Sequence, residues 1–302
     1  MTGPRPNLLI RGLVAYPITP ADESGVVDAP ALGALVRRLA DAGVDRVCVL
    51  GSTGTYPYLS RKERRRAIET AVEAAAGRTP VMAGIGALRT DEAEALAGDA
   101  RAAGADAGLL APVSYAPLTD DEVAAHFETV ARTGLPICIY NNPVTTHFTF
   151  SLDLIERLAK TQGIVAAKNP APPAAVAADH VHDLRGRTPE GFSVGYSVDS
   201  AAAEALIAGG DAWHSVLGGL FPTAALAITC AAMSGDAAEA RRLNEALAPL
   251  WRLAAELSSL RLAYAAVNRL RLARCAPPRP ILPLPPEAEA RVIAVIESCG
   301  LD

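Results

Sequence analysis

The residue with the most chemistry to offer in this chain is a lysine at the end of an apolar run. Ile164-Val165-Ala166-Ala167 has the short, unbroken apolar pattern of a buried strand, and Lys168 follows it, ahead of Asn169-Pro170. The chain holds only three lysines, Lys62, Lys160 and Lys168, against twenty-five arginines. Where arginine fills nearly every cationic position, a lysine retained at a strand end suggests work that arginine cannot do. Arginine stays protonated, whereas a desolvated lysine amine loses its proton and attacks a carbonyl. The plain alternative is a strand-end lysine reaching out to solvent. Position and rarity alone leave both readings open.

Two further groups would complement such an amine. Tyr140 closes the apolar run Pro136–Tyr140, and Gly51-Ser52-Thr53-Gly54-Thr55 follows another at Arg46–Leu50. An amine beside a phenol is what imine chemistry on a 2-oxo acid requires, because the phenol moves protons on and off the carbinolamine. A turn offering backbone N–H groups and the hydroxyls of Ser52 and Thr53 suits a carboxylate. A Gly-Ser-Thr-Gly stretch is by itself only a tight turn. It gains meaning if the fold sets it at the same rim as Lys168 and Tyr140.

The elements that must position these groups alternate without a break. Strand patterns appear at Leu13–Tyr16, Arg46–Leu50, Val81–Ile85, Ala107–Leu110, Pro136–Tyr140, Val165–Lys168, Phe192–Gly195 and Trp213–Leu217. Helical patterns lie between them, with Asp28, Ser60 and Thr119 or Asp120 placed as caps and Glu63 placed to complete a capping box. After the seventh strand the next helix is expected over Asp199–Ala208, and another begins at Pro222. Eight strand–helix units predict an α/β fold, a (β/α)8 TIM barrel over residues 1–235, with a C-terminal helical segment over 236–302. No Gly-x-Gly-x-x-Gly turn follows the first strand, which argues against a dinucleotide-binding sheet. The C-terminal segment shows helical periodicity in Ala238–Leu257, Leu260–Arg274 and Glu287–Glu297, and is expected to pack on the barrel or form a subunit contact.

In such a barrel the strand C-terminal ends form the active rim. That rim would gather Tyr16, the 51–55 loop, Ser114-Tyr115, Tyr140-Asn141-Asn142, Lys168 and Gly195, with His214 inside the eighth strand. A core histidine is the plain reading of His214. The five cysteines, Cys48, Cys138, Cys230, Cys275 and Cys299, lack metal-site spacing and are expected to be reduced, in a soluble cytoplasmic protein. His180 and His182 read as surface residues. Net charge is −5 with the signs interspersed, so nothing favours nucleic acid or an anionic membrane as a partner. The one basic run, Arg61 to Arg66, reads as a solvated helix face. Met1–Leu9 has no basic segment leading into a long apolar one, so no leader or membrane span is expected. No metal or other cofactor is expected, since the His/Asp/Glu cluster of a metal-dependent barrel enzyme is missing.

From about Gly12 to Pro222 the chain resembles the dihydrodipicolinate synthase / N-acetylneuraminate lyase family of Schiff-base lyases and aldolases. The resemblance is carried, in order, by Val14-Ala15-Tyr16-Pro17-Ile18-Thr19-Pro20, by Gly51-Ser52-Thr53-Gly54, by Leu59-Ser60-Arg61-Lys62-Glu63-Arg64, by Tyr140-Asn141-Asn142-Pro143, by Lys168 and by Gly210 to Pro222. It implies that Lys168 forms an imine with pyruvate or another 2-oxo acid, that Tyr140 relays the proton, and that Ser52 and Thr53 bind the carboxylate. It also implies that Gly195 and His214 line the bound oxo acid, and that the protein is a homodimer or homotetramer. The activity implied is a metal-independent lyase, aldolase or dehydratase. The alternative is a barrel that kept the pocket, lost turnover, and acts as a binding or regulatory protein.

Three departures stand out. The family's loop usually ends in glutamate where this chain has Thr55. The arginine that grips the aldehyde substrate's carboxylate in the synthases is replaced by Thr145. The tyrosine that completes the relay across a subunit contact aligns with Ser114, leaving Tyr115, one residue on, as its candidate substitute. These departures point away from dihydrodipicolinate synthase itself.

Overall fold

The computed structural model describes residues 9–301, so the Met1–Leu9 reading falls almost wholly outside the described residues. Eight parallel strands close in sequence order into one barrel: β1 (Gly12–Ala15), β2 (Arg46–Val49), β3 (Val81–Gly84), β4 (Ala107–Leu110), β5 (Ile137–Tyr140), β6 (Ile164–Pro170), β7 (Ser193–Ser197) and β8 (Ala212–Ser215). Between and after them run α1 (Ala29–Ala42), α2 (Arg61–Ala75), α3 (Thr90–Ala102), α4 (Asp120–Ala131), α5 (Pro143–Thr146), α6 (Leu152–Ala159), α7 (Ala174–Arg187), α8 (Ala202–Ile207), α9 (Val216–Leu220) and α10 (Pro222–Met233). The chain continues through α11 (Ala237–Ala246), α12 (Ala248–Leu257), α13 (Ser259–Arg269) and α14 (Pro286–Ser298).

The strands are largely apolar because both of their faces are covered. Alternate residues divide between two cores. Leu13, Ala15, Val47, Val49 and Ala83 pack outward under the helices. Val14, Tyr16, Cys48, Met82, Leu109, Cys138, Tyr140, Ala166 and Ala212 fill the barrel interior. This period of two decides the site, because Lys168 lies two residues past Ala166 and His214 two past Ala212, so both point inward.

Several boundaries differ from the sequence expectation, each for a local reason. β8 stops at Ser215, whose hydroxyl accepts the Gly218 N–H at 2.8 Å and starts α9, so Leu217 is helical. After β7 the helix begins at Ala202 rather than Asp199, because the Asp199 carboxylate turns toward β8. The stretch expected as one helix from Ala238 is broken at Leu247 into α11 and α12. Ser60 caps α2 through the Glu63 N–H, yet the Glu63 carboxylate instead accepts from Val27 N at 2.8 Å, so the expected capping box is half made. The complete box is at α4, where Thr119 and Glu122 satisfy each other's backbone N–H.

The C-terminal helices share the barrel's outer core through residues such as Leu247, Leu250, Leu262, Val267, Val292 and Ile296. No helix among the described residues is long and apolar enough to cross a membrane.

Candidate active site

Closure of the barrel sets Lys168 between two aromatic rings. β5 and β6 pair in register at Tyr140 and Lys168, and β6 and β7 at Lys168 and Gly195. Lys168 is buried, and its Nζ lies 3.7 Å from the centroid of the Tyr140 ring and 5.0 Å from that of Tyr16. The two rings flank the side-chain nitrogen and give the amine a defined place. The solvent-reaching alternative for Lys168 is therefore wrong: it points into the barrel, near the rim.

The Tyr140 hydroxyl is held from two sides. It meets Ser52 Oγ at 3.1 Å and accepts from Asn142 Nδ2 at 2.9 Å. A chain of hydroxyls thus leads from above Lys168 to Ser52, which is exposed at the rim. Thr53 is buried beside it. Leu50 at φ 58° and Thr55 at φ 51° bend the loop sharply at both ends. The N–H groups of Ser52, Thr53 and Gly54 carry no hydrogen bond to another described residue. Such a concavity of hydroxyls and free N–H groups suits an anion.

The loop's shape depends on residues far away in sequence. A Cβ on Gly84 would stand 1.7 Å from the Leu50 carbonyl oxygen, so only glycine lets β3 pass that bend. A Cβ on Gly51 would stand 2.6 Å from Tyr16 Cδ1, which shows how closely the loop lies on that ring. Thr55 is buried, and burial pushes the Tyr264 phenol of α13 up to about 12. The basic run of α2 is also not wholly solvated. Arg64 turns inward, donates to the carbonyls of Gly84 at 2.9 Å and Gly86 at 3.1 Å, and stacks 5.0 Å over Tyr56. Desolvation lowers its pKa to about 10. Those two carbonyls lie at and just past the end of β3 and need a donor, which is why one arginine of the run is drawn in.

On the opposite wall, Tyr16 Oη and His214 Nδ1 meet at 2.8 Å. His214 is buried, and its pKa is held well below the usual histidine range by desolvation first and the charge of Lys168 second. Burial raises the Tyr16 phenol in turn, so the pair is neutral. Gly195 is where the ring needs it: a Cβ there would stand 2.4 Å from His214 Nε2. Behind this wall Asp199 ties β8 in place, accepting from Trp213 Nε1 at 3.0 Å and Leu217 N at 2.8 Å.

The structure thus gathers Lys168, Tyr140, Ser52, Thr53, Gly195 and His214 at one rim. It does not bring the other two sequence candidates into contact with them. Tyr115 is fully exposed and Thr145 is exposed, its hydroxyl only 3.4 Å from its own turn's Asn142 carbonyl. The Ser114 hydroxyl donates to the Ala116 carbonyl. His180, expected at the surface, is half-buried and packs edge-on against Tyr196, with ring centroids 5.9 Å apart. Roles for Tyr16, Asn142 and Asp199 were missed. The spacing of Tyr16 two residues after Val14, and the place of Asn142 within the Tyr140–Pro143 motif, are signals that could have found them; nothing local marked Asp199. Among the described residues no three His, Cys, Asp or Glu side chains converge as a metal site.

The chain matches known proteins along nearly its whole length. The family model described as the dihydrodipicolinate synthetase family matches residues 9–299. A 4-hydroxy-tetrahydrodipicolinate synthase of Azoarcus sp. (strain BH72) is 35% identical over 295 residues, covering 97% of this chain and 99% of that relative. A crystal structure described as dihydrodipicolinate synthase from Agrobacterium tumefaciens superposes with a TM-score of 0.93 at 53% identity, covering 96% of this chain and 98% of that one. The dihydrodipicolinate synthase of Aquifex aeolicus gives a TM-score of 0.90 at 32% identity, covering 97% and 99%.

Proposed function

Because the chain belongs to the dihydrodipicolinate synthetase family and is an aldolase-type lyase, we propose that it acts on a 2-oxo acid through an imine on Lys168, forming or releasing pyruvate. The observation that carries this is the placement of Lys168 Nζ over the Tyr140 ring, with the Tyr140 hydroxyl chained to Ser52. The neutral amine attacks the C2 carbonyl, a C–N bond forms, and the carbonyl π pair moves to oxygen. Tyr140 delivers a proton to that oxygen and passes one from nitrogen, so that water leaves and the protonated imine remains. The imine then draws electrons from the adjacent carbon–carbon or carbon–hydrogen bond. Ser52 and Thr53, with their backbone N–H groups, hold the carboxylate. Chemistry of this kind needs no metal or other cofactor.

The exposed Tyr115 and the Ser114 substitution fit a relay completed across a contact between two copies, as a homodimer or homotetramer. Thr145 argues for a distal pocket without a fixed cation. A threonine hydroxyl replaces a bidentate charge-assisted contact of about 1.5–3 kcal/mol. Condensation of pyruvate with aspartate semialdehyde is therefore expected to be negligible in a coupled assay, and efficient condensation would mean that another arginine reaches the pocket.

The deciding experiment is borohydride trapping with pyruvate followed by intact mass. The wild-type chain should gain the adduct. Lys168→Arg should lose it entirely while remaining folded, since guanidinium is not a nucleophile at neutral pH. An adduct that persists in the variant removes the proposal.

A further inference from the structure

A cleft of about 640 Å³ opens beside the 51–55 loop, and none of the six residues gathered around Lys168 lines it. Its volume is one usual for small-molecule sites. The innermost walls are Thr19, Thr55 and Leu59, all buried. Tyr58, Tyr264 of α13, and Pro277, Pro278 and Pro283 of the connector after α13 give it flat apolar sides. Arg274 and Arg279 also line it. Both are exposed, and neither forms an ion pair among the described residues, whereas Arg269 and Arg291 are taken by Glu297 and Glu256. The carboxylates on its walls are those of Asp22 and Glu23, and Asp22 is turned into its own loop, accepting from Ser24 N and Val26 N at 2.9 Å. The Thr19 hydroxyl is buried without a hydrogen-bond partner and lies against Gly54, where a Cβ would stand 3.0 Å from it. An orphaned buried hydroxyl weakens the fold, so it marks a place where a partner comes from elsewhere.

We propose that this cleft is an effector site for a small organic carboxylate with a flat, ring-shaped body, and that its occupant tightens the oxo acid site through Thr19 and Gly54. Two guanidinium groups without an ion-pair partner suit an anion, and their planar forks match a carboxylate through paired hydrogen bonds. Asp22 and Glu23 on the same walls favour a single negative charge over a phosphate dianion. The prolines and tyrosines supply apolar faces on which a ring packs. The coupling is local. Thr55 is both a wall of the cleft and the last residue of the loop that carries Ser52 and Thr53. The Gly54 N–H also carries no hydrogen bond to another described residue, so a ligand that presses Thr19 inward lets the hydroxyl accept that N–H. The loop then loses freedom before the substrate carboxylate arrives, and the second ligand has less ordering left to do. Binding in the cleft stands apart from the Lys168 imine; only the readout of coupling rests on that reading.

Calorimetry with phenylacetate as the probe, and phenylacetamide and inorganic phosphate as its controls, tests the site. Phenylacetate should bind saturably, and both controls should bind about tenfold more weakly. The double variant Arg274→Gln/Arg279→Gln should weaken phenylacetate by a similar factor. Borohydride trapping then reads the coupling. Saturating phenylacetate should lower the half-saturating pyruvate concentration about fivefold, and saturating pyruvate should tighten phenylacetate by the same factor, as linkage requires. Thr19→Val, nearly isosteric, should still bind phenylacetate and lose that coupling. Absent binding, binding unchanged in the double variant, or phosphate binding as tightly as phenylacetate overturns the inference. So does displacement of phenylacetate by pyruvate, which would place the probe at the Lys168 rim, or a pyruvate half-saturation that phenylacetate leaves unchanged. If the wild-type chain traps no pyruvate, it is the Lys168 imine that fails, and calorimetric binding with its loss in the double variant still decides the cleft.

Discussion

At the scale of single residues, the structure holds one amine and one phenol in a fixed relation. Lys168 and Tyr140 are cross-strand neighbours, and the barrel's closed register leaves neither free to slide. The Tyr140 hydroxyl has two anchors, Ser52 and Asn142, which hold it toward the rim. Tyr140→Phe removes that hydroxyl and almost no volume. Imine formation should slow and turnover should fall by roughly 10²–10⁴-fold, the usual contribution of a positioned acid or base. Stopped-flow trapping and steady-state rates on the same preparation would show both effects. Near-normal turnover would move proton transfer to another group, with Tyr115 of a neighbouring copy the first to examine.

At the scale of elements, the rim is shaped by bends that individual strands would not adopt alone. The bend at Leu50 exists because Gly84 makes room and Arg64 occupies the carbonyls at and just past the end of β3. A second bend lies past β7, where Val198 sits at φ 69° with its side chain half exposed. A β-branched residue in the left-handed region costs roughly 1–2 kcal/mol. It is held there by Asp199, whose carboxylate is locked to Trp213 and Leu217. Burial raises the Asp199 pKa, and these donors oppose the rise. Val198→Gly relieves the strain and loses little packing, while glycine's greater freedom in the unfolded chain takes back about 0.5–1 kcal/mol. The net expectation is a gain of roughly 0.5–1 kcal/mol in urea unfolding, with trapping on Lys168 unchanged. A clear loss of stability would show that the valine side chain packs more than its exposure implies.

At the scale of the whole molecule, burial of neutral histidines sets an acid limit. His214, His126 and His180 all have pKa values lowered by desolvation. In the unfolded chain each titrates near about 6.5. Above that pH both states are neutral and the full stability is present. As the pH falls below it, the unfolded chain binds protons that the folded chain refuses, so stability falls until the folded pKa is reached. For the deeply buried His214 the slope approaches about 1.4 kcal/mol per pH unit. Urea midpoints measured from pH 7.5 to 5.5 should decline, and His214→Leu should flatten that decline by close to one proton equivalent. An identical slope in the variant would mean that His214 is protonated in the fold.

Much of this was readable before any coordinates. Alternating apolar runs and capped helices announced eight strand–helix units, and strand-end position put Lys168, Tyr140 and the 51–55 loop at one rim. Whether Lys168 faces inward or reaches solvent stayed open in the sequence; in the closed barrel the alternation of strand side chains turns Tyr16, Lys168 and His214 inward. What local pattern could not decide was which polar groups meet. Tyr16 and His214 lie 198 positions apart and become partners only when β1 pairs with β8 to close the barrel. Glu63 left its expected capping box for Val27, Arg64 left its solvated helix face for β3, and Asp199 left its helix for β8. Each was drawn by a backbone or indole N–H, or a carbonyl, that packing had taken out of water. Periodicity assigns a side chain to a face, whereas the need to satisfy every buried polar atom chooses its partner, and that choice exists only once the distant strands are side by side.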